Sequence, residues 1–247
     1  MTCKTSTTLP SGKIMMMRPQ FREELRTQCH REREAATGGE AAPFQMTEGW
    51  SRYYDAAKDG APRETLLLAL DLFESEGVAA RAERLAVDLG CGEGRDTIEL
   101  LRRGWRVLAI DAEREAIERL RARADLDSIA AARLETRMIS FEEADWLPAD
   151  LVNSSFALPF CPPDHFPALW KRIASSLRRG GRFSGHLFGD RDGWAQDPAL
   201  SCHRRVEVED MLQAFELERF DEIEEDGKTA VGEPKHWHLF HIVAKKL

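Results

Sequence analysis

The chain has 247 residues, enough for one full α/β domain with a substantial core. Hydrophobic residues make up 43% and charged residues 32%, the balance of a soluble globular protein. A net charge of −8 argues against a general nucleic-acid surface, and no stretch approaches the ~18 consecutive apolar residues of a membrane helix.

Residues 1–45 open with Thr, Ser, Gly and Pro, and Arg and Glu dominate over 18–34. Few positions there can bury a face, so the segment reads as a flexible or poorly ordered extension. It reads equally as sequence upstream of a start at Met15 or Met46. A single domain is expected over 46–247. Cys3, Cys29, Cys91, Cys161 and Cys202 form no Cys-x-x-Cys pair, which suits free thiols in a reducing cytosol. The expected location is therefore cytoplasmic.

The ordered chain is expected from about Trp50. Pro62-Arg63-Glu64 opens a helix carrying Leu66, Leu67, Leu70 and Phe73 at helical spacing. A first strand spans 84–88, and a helix with Ile98 and Leu101 inward stops at Gly104. The second strand covers 105–111, a helix buries Ile117 and Leu120, and a third strand covers 133–139. Residues 150–156 fit a fourth strand. Phe166, Leu169, Trp170, Ile173 and Leu177 then share one helix face, which stops at Gly180-Gly181. A fifth strand covers 182–188 and a helix lies near 208–215. The runs 218–223 and 237–243 have no helix between them, so they should pair antiparallel. Alternating β and α elements with a terminal hairpin indicate an α/β protein, a mostly parallel sheet with helices on both faces.

The most telling stretch is Ala-Val-Asp-Leu-Gly-Cys-Gly-Glu-Gly-Arg-Asp, residues 86–96. An apolar run ends in Asp88, and Gly90, Gly92 and Gly94 follow at alternate positions. A second run closes on Asp111. Glycines there open turn conformations closed to other residues and let a ligand lie on bare backbone. Helix-start amides offer donors to a carboxylate or phosphate. Asp111 can accept from both hydroxyls of a ribose, and its charge disfavours a 2′-phosphate. A nicotinamide site usually reads Gly-x-Gly-x-x-Gly, whereas this chain reads Gly-x-Gly-x-Gly. A ligand with a cationic amino-acid end fits Asp88 better than a pyrophosphate does.

This stretch resembles motif I of the class I S-adenosylmethionine-dependent methyltransferases, and Asp111 resembles the acid of their second motif. Within that superfamily, Gly-Cys-Gly-Glu-Gly-Arg-Asp is most similar to the tellurite-resistance methyltransferase group. The resemblance implies a Rossmann-like sheet of seven strands ordered 3-2-1-4-5-7-6, the last reversed. It also implies S-adenosylmethionine as cofactor and a methyltransferase domain over 46–247. The cofactor-binding residues it points to are Asp88, Gly90, Cys91, Gly92, Arg95, Asp111, Ala112, Phe141, Glu142, Asn153 and Ser154. Family members often place an acid before the apolar residue that grips adenine; this chain has Ser140 there, with Phe141 to pack and Glu142 to accept. Arg95 either pairs with the cofactor carboxylate or ties the helix start to Asp96 or the N-terminal segment.

The acidic surface and the lack of a separate substrate domain favour a small-molecule acceptor over nucleic acid or membrane. Candidates around it are Trp50, Tyr53, Tyr54, Phe156, His186, Arg191 and Trp194. The aromatics at 50–54 either form a lid or dock the N-terminal helix. His186 reads as a satisfied core histidine or as a base. His236 and His238 share a strand face without a third metal ligand, and Cys91 and Cys161 read as small packing residues. Two rival functions are a non-catalytic S-adenosylmethionine-binding module and a nicotinamide-dependent oxidoreductase.

Overall fold

Strands β1 (Leu85–Leu89), β2 (Arg106–Asp111), β3 (Leu134–Met138), β4 (Ala149–Ser154) and β5 (Leu177–Gly189) run parallel in the order 3-2-1-4-5. This computed structural model describes residues 46–58, 60–76, 84–126 and 128–247. The expected extension over 1–45 lies outside the described residues. The sheet continues through β8 (Pro234–Lys246) to the edge strand β7 (Phe215–Lys228), with β8 antiparallel to both neighbours. A two-residue strand, β6 (Cys202–His203), pairs parallel with the end of β5. With β6 set aside, this is the 3-2-1-4-5-7-6 order implied by the resemblance.

Alternation along each strand sends side chains to two buried layers. In β2, Val107 and Ala109 face helices α2 (Glu64–Ser75), α3 (Arg95–Arg102) and α4 (Arg114–Arg121), packing with Leu70, Ile98 and Leu120. Leu108 and Ile110 face α6 (Phe166–Ser176) and α7 (Arg205–Met211), packing with Trp170, Ile173 and Val208. Parallel strands covered on both faces read as continuous apolar runs, which is why β1 and β2 stand out in the sequence. Helix α1 (Met46–Ala57) precedes α2, and the short α5 (Ser128–Ala131) precedes β3.

Three boundaries differ most from the sequence reading; the helix expected near 208–215 is α7, Arg205–Met211, and β7 already begins at Phe215. Helix α6 ends at Ser176, and β5 begins at Leu177, which pairs with Ala149 before a register shift to Leu151–Arg182. Gly180 and Gly181 therefore sit inside a bulged strand; a Cβ on Gly181 would come within 2.8 Å of the Asp150 carbonyl oxygen. Leu177 fits both a helical stripe and a buried strand end, so periodicity alone misplaced the stop. Strands β7 and β8 also extend well beyond 218–223 and 237–243, pairing as far as Lys228–Pro234. The added part of β7 is acidic and exposed, as edge strands often are, and so lacks the apolar signal.

Candidate functional site

The β1–α3 turn is the floor of the candidate site. Gly90, Gly92 and Gly94 have φ of 70°, 53° and 89°, the left-handed region that side chains rarely enter. Close approach adds a second constraint at Gly90, where a Cβ would lie 2.2 Å from the Ala157 Cβ and 3.5 Å from the Phe141 ring. The Gly90 and Cys91 amides both donate to the Ile110 carbonyl, at 2.8 and 3.1 Å, which locks the turn to the end of β2. Asp111 completes the clasp: its carboxylate accepts from the Gly92 amide and the Glu113 amide, each at 2.9 Å. Burial pushes the Asp111 carboxyl up, while these two amides pull it back. Cys91 is buried, and burial next to Asp111 and Asp88 keeps its thiol protonated. Ala112 is exposed beside Asp111.

Behind this floor lies a closed polar row across three strands. Asp88 is only 2% exposed and accepts from the Thr97 hydroxyl at 2.6 Å and from Asn153 Nδ2 at 2.9 Å. The same Asn153 amide donates to Asp96 at 3.1 Å, and its carbonyl accepts from Ser184 at 2.8 Å. Asp96 also takes the Ser155 hydroxyl and the Arg63 amide. Burial, then the neighbouring Asp96, raises the Asp88 carboxyl pKa. Ser154 is fully buried and donates to the Leu89 carbonyl. Asp88, Asn153 and Ser154, expected from the sequence beside the cofactor, are thus buried and hydrogen-bonded within the domain. They brace the strand tips.

Arg95 takes the tying role. Its guanidinium donates to the Ala57 carbonyl at 3.0 Å and lies against Gly60, where a Cβ would sit 1.5 Å from Nη2. That bond fixes the end of α1 to the start of α3. On the other side α1 is held to α4 through Asp55–Arg119 at 2.8 Å and Ser51–Glu115. Tyr54 is thereby laid over the glycine turn, 3.6 Å from where a Gly92 Cβ would be. Burial and the nearby Asp111 push its phenol well above the usual range. Phe141 abuts Gly90, and Glu142 is held low by the Ser140 hydroxyl, so serine and glutamate form one pair at this corner.

Beyond the tips of β4 and β5 the walls are aromatic. Trp50 meets Phe160 at 5.0 Å between ring centroids, and Phe160 lies 6.4 Å from Trp194. Sequence reasoning missed Lys235. Its ammonium pairs with Asp192 at 2.7 Å and sits 3.6, 3.8 and 4.1 Å from the ring centres of Trp237, Trp194 and Phe188. Burial moves its pKa down to about 8. Nothing in the local pattern around Pro234 signals such a cage. Arg191 turns outward to Glu222 and Glu224, and His238 meets Glu222 at 2.8 Å. Among the described residues, no group of three or more His, Cys, Asp or Glu is placed to hold a metal ion. No described helix is long and apolar enough to cross a membrane.

Residues 86–181, from β1 into β5, match a methyltransferase domain family. Over that stretch the chain is similar to a methyltransferase domain, and its fold is shared with S-adenosylmethionine-dependent methyltransferases. Solved structures share the fold. TehB from Haemophilus influenzae is 16% identical with a TM-score of 0.62, over 79% of this chain and 67% of that one. Magnesium protoporphyrin IX methyltransferase (ChlM) from Synechocystis PCC 6803, with bound SAH, is 15% identical with a TM-score of 0.58, over 81% and 95%. A SAM-dependent methyltransferase from Methanosarcina mazei is 19% identical with a TM-score of 0.53, over 68% and 94%. No curated protein matches the sequence.

Proposed function

We propose that this methyltransferase domain binds S-adenosylmethionine on the Gly90–Gly92 turn and acts on a small-molecule acceptor by in-line displacement. The observation that carries this reading is the Asp111 clasp. An ionised carboxylate offers about four lone-pair positions, and the Gly92 and Glu113 amides take two. The remaining two suit the vicinal hydroxyls of a ribose. Gly90 and Gly92 carry no side chain of their own, so Ala157, Phe141 and Tyr54 can close on the turn, and Phe141 supplies an apolar wall for a purine.

When bound, the sulfonium supplies a methyl group that is already electrophilic. The protein's part is to orient and to exclude water. Helix α1 serves the second purpose, with Tyr54 and Trp50 roofing the turn. The aromatic walls at Phe160, Trp194 and Trp237 favour a compact acceptor with apolar surface, and rings near a sulfonium add cation–π attraction.

Isothermal titration with S-adenosylmethionine and S-adenosylhomocysteine tests the assignment. Asp111→Asn keeps one carbonyl oxygen for the Gly92 amide but loses the charge and the paired acceptors. The expected result is a loss of affinity of at least tenfold, about 1.4 kcal/mol, with little change in melting temperature. Wild-type protein that binds neither ligand, or a variant that binds as well as wild type, overturns the reading.

A further inference from the structure

Two residues beyond Ser184 of the closed polar row, β5 and β8 bring two histidines into contact. His186 pairs with His241 across the antiparallel ladder, their rings 4.6 Å apart and nearly perpendicular. His186 is 2% exposed, yet its Nδ1 has no hydrogen-bond partner, and neither ring nitrogen of His241 has one. Buried polar atoms are rarely left so, and three in one contact pair call for a ligand. Burial holds both imidazoles neutral. The charged groups facing them are Arg63 from the α1–α2 connection and Arg219 and Asp221 from β7.

The pair lies next to the cofactor turn. Ala157 is the residue that closes on Gly90, and the preceding residue, Phe156, stacks on His186 at 4.1 Å. Phe156 has φ of 58°, the only positive value among the described non-glycine residues. A bulky side chain held in that region stores strain that clusters at ligand sites. Trp237 stands 6.3 Å from Phe156, and the Arg63 guanidinium lies over the Phe156 ring at 4.6 Å. A neutral imidazole offers one N–H and one lone pair, a match for a hydroxyl, which both donates and accepts. It offers an oxyanion no charge. Flanking rings match a planar carbon skeleton.

We propose that His186 and His241 form the acceptor subsite, recognising the hydroxyl of a hydroxylated aromatic small molecule between Phe156 and Trp237. The proposal rests on the methyltransferase reading above and names the acceptor class for it. The Phe156 and Trp237 rings, 6.3 Å apart between centroids, must separate to admit the ring.

The test is equilibrium binding of 4-nitrocatechol, followed by its absorbance, to the full chain with and without S-adenosylhomocysteine. Saturable binding is expected, with the bound probe absorbing as the protonated phenol. His241→Phe and His186→Phe should each weaken it at least tenfold while S-adenosylhomocysteine affinity stays within twofold. His241→Asn, which keeps a donor and an acceptor, should recover most of the loss, separating recognition from misfolding. Absence of saturable binding, binding as the phenolate, unchanged binding in the phenylalanine variants, or displacement by selenite each overturns the proposal. Loss of S-adenosylhomocysteine binding in wild type, with the probe still bound, removes the cofactor reading instead.

Discussion

Two neighbouring polar regions on the same face of the sheet are built in opposite ways. In the row Asp88–Asn153–Ser184, with Thr97, Asp96 and Ser155 above it, both carboxylates and the amide are held by hydrogen bonds within the domain. Two residues along β5, the His186–His241 pair has three buried ring nitrogens unpaired. A filled network rigidifies its surroundings, whereas an unfilled one is a liability unless something binds there. The first region is scaffolding behind the glycine turn; the second is where the acceptor subsite is proposed. Closeness to the strand tips does not separate them. Hydrogen-bond satisfaction does.

Asn153→Leu should have the largest effect on that contrast. It removes the shared donor of two buried carboxylates and strands the Ser184 hydroxyl, so urea unfolding should show a loss of about 3–5 kcal/mol. A loss below 1 kcal/mol would mean the row is not the brace described.

Next comes acid sensitivity. The His241 pKa lies at about 4 in the folded protein, chiefly through burial. Unfolded chains take the proton first, so the stability linked to this group is full above pH 6.5 and falls as pH drops toward 4. The difference in stability between wild type and His241→Leu should therefore change by roughly 3 kcal/mol over that range. Asp88 titrates with the opposite sign, its raised pKa making the folded state less stable as its carboxyl ionises, but it is common to both proteins and cancels. A difference that is flat with pH would contradict a buried neutral imidazole.

A smaller effect is expected at Gly60. Gly60→Ala forces the Arg95 guanidinium off the backbone it lies on, weakening its bond to the Ala57 carbonyl. A loss of about 1–2 kcal/mol in thermal or urea melts is expected, with proteolysis near α1 increasing. The smallest change belongs to His241→Leu at pH 7. No hydrogen bond is lost there, so stability should stay within about 1 kcal/mol of wild type or rise. The two extremes are Asn153, near the end of β4, and His241, in the middle of β8, and measuring both decides whether the contrast is real.

Much of the cofactor half was legible in the sequence. Gly90, Gly92 and Gly94 stand out because their φ values exclude side chains, and Asp111 because it ends a buried strand. Phe141 reaches Gly90 as its position after β3 suggested. Arg95 had two readings, and the bond to Ala57 selects the structural one. Asp88, Asn153 and Ser154 were assigned to ligand because they sit at strand tips, yet each points into the domain. His186 was read as a satisfied core residue or a base, and its Nδ1 has no protein partner. Lys235 and its ring cage were invisible, since Phe188, Trp194 and Trp237 come from three separate segments.

The sequence by itself determined the β-α-β unit and the glycine turn, while the strand order came only through the family resemblance. The first two depend on backbone sterics and on alternation along a few consecutive residues. Only the tertiary structure decided which polar side chains are spoken for. That depends on register between strands far apart in the chain: β4 set against β1 gives Asp88 its amide, and β8 set against β5 leaves two imidazoles facing each other with nothing to bind.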